Sequence, residues 1–215
     1  MRAMMTLVAV AIGLCWVTSA AEPDAEEGFT TVFNGKDLSG WIGATEAYTV
    51  VDGLLSARSN KGGHLMLEKQ YANFILRFDY LMTTNGNNGV MLRMTKVHGT
   101  GTECGMEVQI LDDHGGKHKN LKDWQYNGCI YGVAVAKSGH EKPMDQWNAM
   151  EVRAVNSQIT VTLNGTVIVD VDLAGIDKMP DGKEHPSLLN PKGYLGLAAH
   201  WSRVDFRNIR IKELP

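Results

Sequence analysis

Two dipeptides do most to limit the folds open to this chain. Asp52-Gly53 sits between Tyr48-Thr49-Val50-Val51 and Leu54-Leu55-Ser56, and Asn164-Gly165 sits between Gln158–Leu163 and 166–171. Both favour two-residue hairpin turns with positive φ, so each flanking pair reads as antiparallel strands. The rest of the chain follows suit. In Phe74–Met82 the even positions form a large apolar face and the odd ones mix charge with aliphatics, the pattern of a half-buried strand. Segments 90–94, 103–111, 129–133, 149–155, 194–201 and 204–214 read the same way, and no long helical stripe interrupts them. So many short antiparallel strands imply an all-β fold of two sheets packed face to face. In the last segment Val204 and Phe206 have one parity and Ile209 and Ile211 the other, which predicts a bulge near Asn208. Polar stretches 112–127, 137–146 and 177–192 are expected to rim one sheet.

The chain has 215 residues, 44% of them hydrophobic, enough for one domain with a sizeable core. Arg2, the apolar run 7–17 and Thr18-Ser19-Ala20 have the three regions of a secretory signal, and the run is too short to span a membrane. The expected organisation is a signal peptide over 1–20, an acidic linker over 21–28 and one β-sandwich domain over 29–215. Leu14 before Cys15 argues against a lipoprotein cleavage site, so the expected product is a soluble exported protein, periplasmic or extracellular. Of 21 Lys and Arg, Arg2 leaves with the signal, and 20 basic residues then stand against 24 acidic ones with no basic cluster. Nucleic acid and acidic membranes are poor partners for such a surface. Cys104 and Cys129 remain, as a bridge or as two free thiols.

The segment Glu107-Val108-Gln109-Ile110-Leu111-Asp112-Asp113-His114 carries the chemistry. Strand alternation puts Glu107 and Gln109 on one face and Val108 and Ile110 on the other. Ordinary glycoside hydrolysis needs two carboxyl groups about 5 to 10 Å apart. Glu103 shares the face, but its backbone lies roughly 13 Å from that of Glu107. Gln109 stands where a laminarinase-like sandwich would carry a second acid, and an amide can neither protonate nor attack. Unless Asp112 or another strand supplies the partner, a two-carboxylate mechanism is disfavoured. Arg93 follows the turn Asn85-Gly86-Asn87-Asn88-Gly89 and is placed to pair with Glu107, either as an oxyanion ligand or as a surface ion pair. His200 shares its parity with Ala198 and Gly196, small residues that leave space above the sheet; it reads either as a base or metal ligand or as a hydrogen-bonded strand-end histidine. His114 and His118 with Asp112 and Asp113 match no specific metal motif, and a solvated loop is the plainer reading. Trp124, Tyr126, Tyr131 and Trp201 are candidates for stacking on sugar, against the commoner core role. Asn164-Gly165-Thr166 fits a glycosylation sequon, but a hairpin turn explains it fully.

Phe33-Asn34-Gly35-Lys36-Asp37-Leu38-Ser39-Gly40-Trp41, Asn87 through Arg93, Glu107 through Asp113, Trp147-Asn148, Leu163-Asn164-Gly165 and Val204-Asp205-Phe206-Arg207-Asn208-Ile209-Arg210-Ile211, in that order, together resemble the 3-keto-disaccharide hydrolase domain family. The resemblance implies a jelly-roll sandwich of the concanavalin A-like lectin and glucanase type, in an exported bacterial protein acting on 3-keto-glycosides. Cys129 replaces a residue usually small in that family, and 133–136 replaces a loop that often carries proline. A ketone at C3 acidifies the C2 proton, so one base suffices: the enolate expels the C1 oxygen, and water then adds. The resemblance implies Glu107 or His200 as base, with Arg93, Gln109 or a divalent cation holding the negative oxygen. Arg93 beside Glu107 would weaken that acid as a base, which favours His200 as proton acceptor and Glu107 as its orienter, sugar ligand or metal ligand. Gln109, Asp112, Tyr131 and Trp201 are the expected substrate contacts. The competing expectations are a non-catalytic carbohydrate-binding module and a conventional laminarinase-like hydrolase.

Overall fold

The hairpin signals at Asp52-Gly53 and Asn164-Gly165 form as expected, with Asp52 at φ 51° and Asn164 at φ 50°. The computed structural model describes residues 26–97, 104–114 and 116–215. The signal stretch, most of the linker and Glu103 lie outside the described residues.

Two antiparallel sheets stack face to face. The larger contains β1 (Thr30–Thr31), β3 (Tyr48–Val51), β4 (Leu54–Ala57), β6 (Phe74–Met82), β9 (Trp147–Val155), β10 (Gln158–Leu163), β11 (Thr166–Asp172) and β13 (Val204–Glu213). Its order is β11-β10-β9-β6-β13-β4-β3, with β1 also on β13. The smaller holds β2 (Trp41–Gly43), β5 (Gly62–Tyr71), β7 (Asn87–Met94), β8 (Met106–Leu111) and β12 (Gly193–His200), in the order β2-β5-β12-β7-β8. Phe74, Leu76, Phe78, Tyr80 and Met82 of β6 are all buried and meet Leu197, Val90, Val108 and Ile110 in one core. Phe78 tilts against both Tyr80 and Phe206. The predicted bulge is present: the β13–β6 register shifts between Arg207 and Arg210, and Asn208 has φ 54°.

One expected strand changes, one strand goes unforeseen, and the open cysteine question is decided. Segment 129–133 is a turn, because Gly132 at φ 75° folds the chain back so that Ala134 N reaches Ile130 O, leaving isolated bridges to Val108 and Ala134. Strand β5 carries Glu68, Lys69 and two glycines and lacks a clean alternation, so periodicity misses it. Cys104 and Cys129 are both buried free thiols, and no bridge joins them. The sequon reading of Asn164 gains no support, since its Nδ2 already donates to His140 O and Asn148 Oδ1.

Candidate active site

Glu107 and Gln109 lie on β8 with Met91 and Gly89 as their partners across β7. On β12, Gly196 pairs with Met91, and the same parity carries Ala198 and His200. Directly opposed residues share a face, so all of these side chains occupy the outer face of the smaller sheet. Gly89 and Ala198 leave a shallow gap between β8 and β12. A Cβ built on Gly89 would collide with the Glu107 carboxylate, so that side chain lies across the glycine. His200 bridges from the other side, with Nε2 3.5 Å from Glu107 Oε1. The imidazole is 37% exposed and the glutamate 15%, which makes the histidine the solvent-facing member of the pair.

Glu107 Oε1 and Gln109 Oε1 are both buried without a hydrogen-bond donor. Such an acceptor costs roughly 1–3 kcal/mol until something donates to it. Gln109 Nε2 reaches Gln125 O at 3.5 Å, which turns the amide so that its oxygen is the free end. Gln125 Nε2 in turn donates to the Tyr131 hydroxyl at 3.0 Å. That oxygen is an acceptor in the pair, so the phenolic hydrogen remains available. Tyr131 N donates to Glu107 O, and Gly128 N to Gln109 O, clamping 128–131 along the free edge of β8. Trp124 packs edge-on against Tyr131 with centroids 4.9 Å apart. Gln125 was invisible to sequence reasoning, since a lone glutamine in a polar loop carries no signal.

Trp201 also reaches this face. It is 64% exposed and has φ 56°, with its indole over Gly62, the β5 partner of His200. Arg93 and Asp112 do not join the others. Arg93 is only 2% exposed and adopts φ 50°, and its guanidinium donates to Ala72 O, Asn156 O and Asn190 O. The expected ion pair with Glu107 is therefore not formed; the positive φ redirects the side chain, and burial pulls its pKa below the ordinary arginine value. Asp112 continues the inward parity of Val108 and Ile110, and its Oδ2 accepts from Asn85 N at 2.7 Å. It lines a separate cavity of about 230 Å³ with Tyr80, Asn127, Glu141 and Met144. Beside that cavity His114 Nε2 stands 3.5 Å from Asp113 Oδ1 and 3.8 Å from Glu141 Oε2. Among the described residues no three His, Cys, Asp or Glu side chains are placed to hold a metal ion, so no ligand set is assigned to the divalent cation that the sequence left open.

The two-sheet antiparallel sandwich thus carries, on the outer face of its smaller sheet, one carboxylate paired with a histidine. Residues 28–212 match the 3-keto-alpha-glucoside-1,2-lyase-like domain family, and the chain belongs to it. A protein of Bacteroides thetaiotaomicron named 3-keto-disaccharide hydrolase is 23% identical, over 95% of this chain and 87% of its own. Two candidate glycosyl hydrolases of Parabacteroides distasonis share the fold. One is 31% identical with TM-score 0.75, covering 86% of this chain and 99% of its own. The other is 26% identical with TM-score 0.76, covering 87% and 95%.

Proposed function

We propose that the protein is an exported enzyme that cleaves 3-keto-glycosides by removing the C2 proton and eliminating the C1 oxygen. The observation that carries this reading is the Glu107–His200 pair folded over Gly89 on a face where β8 supplies one carboxylate and one amide. One base is what an enolising substrate requires. His200, the more exposed partner, accepts the C2 proton at Nδ1, while Glu107 faces Nε2 and stabilises the imidazolium that forms. With Arg93 turned away, the Tyr131 hydroxyl is the donor for the enolate oxygen, as its bond from Gln125 leaves the phenolic hydrogen free. Gln109 Oε1 accepts from a sugar hydroxyl. The electron pair of the C2–H bond enters the C2–C3 double bond of the enolate. As the C3 carbonyl re-forms, that pair makes the C1–C2 double bond and the C1–O bond breaks, the leaving oxygen taking the proton from His200. Water then adds its hydroxyl at C1 and a proton at C2, giving a free 3-keto sugar.

The resemblance to the Bacteroides hydrolase supports this substrate class. The test is incubation with a 3-keto-glucoside and with its unoxidised parent, in deuterated water. Cleavage of the keto form alone, with deuterium at C2 of recovered substrate or product, is the expected result. Equal cleavage of both forms would indicate a conventional hydrolase, and saturable binding without turnover a binding module; either sinks the proposal.

A further inference from the structure

The outer face does not end at His200. One strand further, a pocket of about 300 Å³ is lined by Gly43, Ala44, Glu46, Gly62, Gly63, His64 and Val97. Gly62 is the register partner of His200, and His64 that of Ala198, so the pocket continues the row that holds the catalytic histidine. Adjacent strands are about 4.8 Å apart, which places a ring in this pocket next to one held at His200. Its glycines let the surrounding groups approach closely: a Cβ on Gly63 would stand 2.6 Å from Ala44 Cβ and one on Gly43 2.5 Å from His64 O, and Gly63 holds φ 135°. Glu46, His64 and backbone line it together with the apolar Ala44 and Val97, a mixed lining suited to the hydroxyls and C–H faces of a sugar.

Trp201 lies beside the pocket, over Gly62. The indole packs on Gly62, where a Cβ would meet its ring at 3.0 Å, and the rest stays open to solvent. A bulky residue with positive φ is a genuine outlier, and such strain persists where the surroundings over-determine it. Here they do: Trp201 N donates to Lys61 O, and Ser202 Oγ both accepts from Asn87 N and donates to Asn87 O. The strained segment therefore presents a fixed aromatic face beside a polar pocket, the arrangement that sugar rings stack on.

We infer that the pocket of Gly62, Gly63, Glu46 and His64, together with the exposed Trp201 indole that adjoins it over Gly62, binds the second, unoxidised ring of a 3-keto-disaccharide. The inference rests on the reading of the Glu107–His200 face as the cleavage site. Two measurements separate the claims. Steady-state kinetics of the Trp201→Ala and Glu46→Gln variants are compared on a 3-keto-disaccharide and on methyl 3-keto-glucoside, which lacks the second ring. Trp201→Ala should lower the preference for the disaccharide about tenfold, chiefly through KM. Glu46→Gln should shift it in the same direction. Equal losses on both substrates, or none on either, would overturn the subsite. The second measurement is independent of cleavage: tryptophan fluorescence is titrated with plain methyl glucoside. A saturable change in the wild type that Trp201→Ala abolishes supports the subsite even if no keto sugar is cleaved. Absence of that change overturns it whatever the cleavage assay shows.

Discussion

At the scale of single residues, the site depends on a missing side chain as much as on those present. Gly89 lies within a regular strand and outside the left-handed region, so its backbone accepts alanine, but the added methyl would occupy the place of the Glu107 carboxylate. Gly89→Ala should therefore leave the melting temperature within about 3 °C while kcat falls at least about tenfold, as circular dichroism and initial rates would show. His200→Ala should cost roughly 10² to 10⁴ in kcat and abolish C2 deuterium exchange. Glu107→Gln keeps the shape and should cost less, because its partner can still accept the proton. Exchange that survives intact in His200→Ala would transfer the role of base to Glu107. Most of this was legible in the sequence: alternation alone put Glu107 beside Gln109, and parity put His200 above small residues. The expected Arg93 pairing failed because alternation assumes regular φ, and a left-handed residue at the end of a strand reverses it.

Among the elements, Arg93 has a structural task that no periodicity announces. It leaves the smaller sheet at the end of β7 and donates to Ala72 O in the β5–β6 turn, Asn156 O in the β9–β10 turn and Asn190 O ahead of β12. Asn190 Nδ2 returns a bond to Arg93 O at 3.1 Å. One buried cation thus ties turns of both sheets at one end of the sandwich. Arg93→Met fills similar volume but removes these donors, and should cost about 3 kcal/mol. At this chain length that lowers the melting temperature by roughly 6–12 °C. Rates measured well below the transition should stay near wild type; a kcat loss beyond about tenfold would return Arg93 to the chemistry. The strands themselves were legible wherever a hairpin dipeptide or clean alternation marked them. Strand β5 was not, since its glycines admit close neighbours and its Glu68 and Lys69 face solvent rather than the core, and 129–133 was misread because a glycine turn lay within an apolar run. The same compromise made the second ring's pocket invisible: nothing about Gly62-Gly63-His64 signals binding until β12 is laid beside it.

For the molecule as a whole, the open end of the sandwich stores an electrostatic cost that pH should reveal. Asp113 Oδ2 accepts from Asn127 N at 2.8 Å, while its Oδ1 is buried without a hydrogen-bond donor. Glu141 is fixed the same way, its Oε1 taking Asn127 Nδ2 and its Oε2 left bare. Burial is the chief cause that raises the Asp113 pKa; nearby Glu141 adds to it, while the backbone bond from Asn127 and the charge of His114 oppose it. A carboxyl whose folded pKa lies above its unfolded value binds more protons when folded. Its favourable contribution is complete below the unfolded pKa of about 3.9 and is lost as pH rises through the folded value. At neutral pH the charged form is then a net cost of folding. Asp113→Asn removes the charge and keeps an oxygen for Asn127 N, so it should raise the melting temperature at pH 7. Near pH 3 variant and wild type should converge, because both side chains are then neutral. Melting curves across that range decide the matter: a variant destabilised at pH 7 would mean that the carboxylate at this end of the fold is held by a partner, such as a bound cation. The Glu107–His200 face is a separate surface of the smaller sheet, so cleavage rates at neutral pH should be unchanged by the substitution.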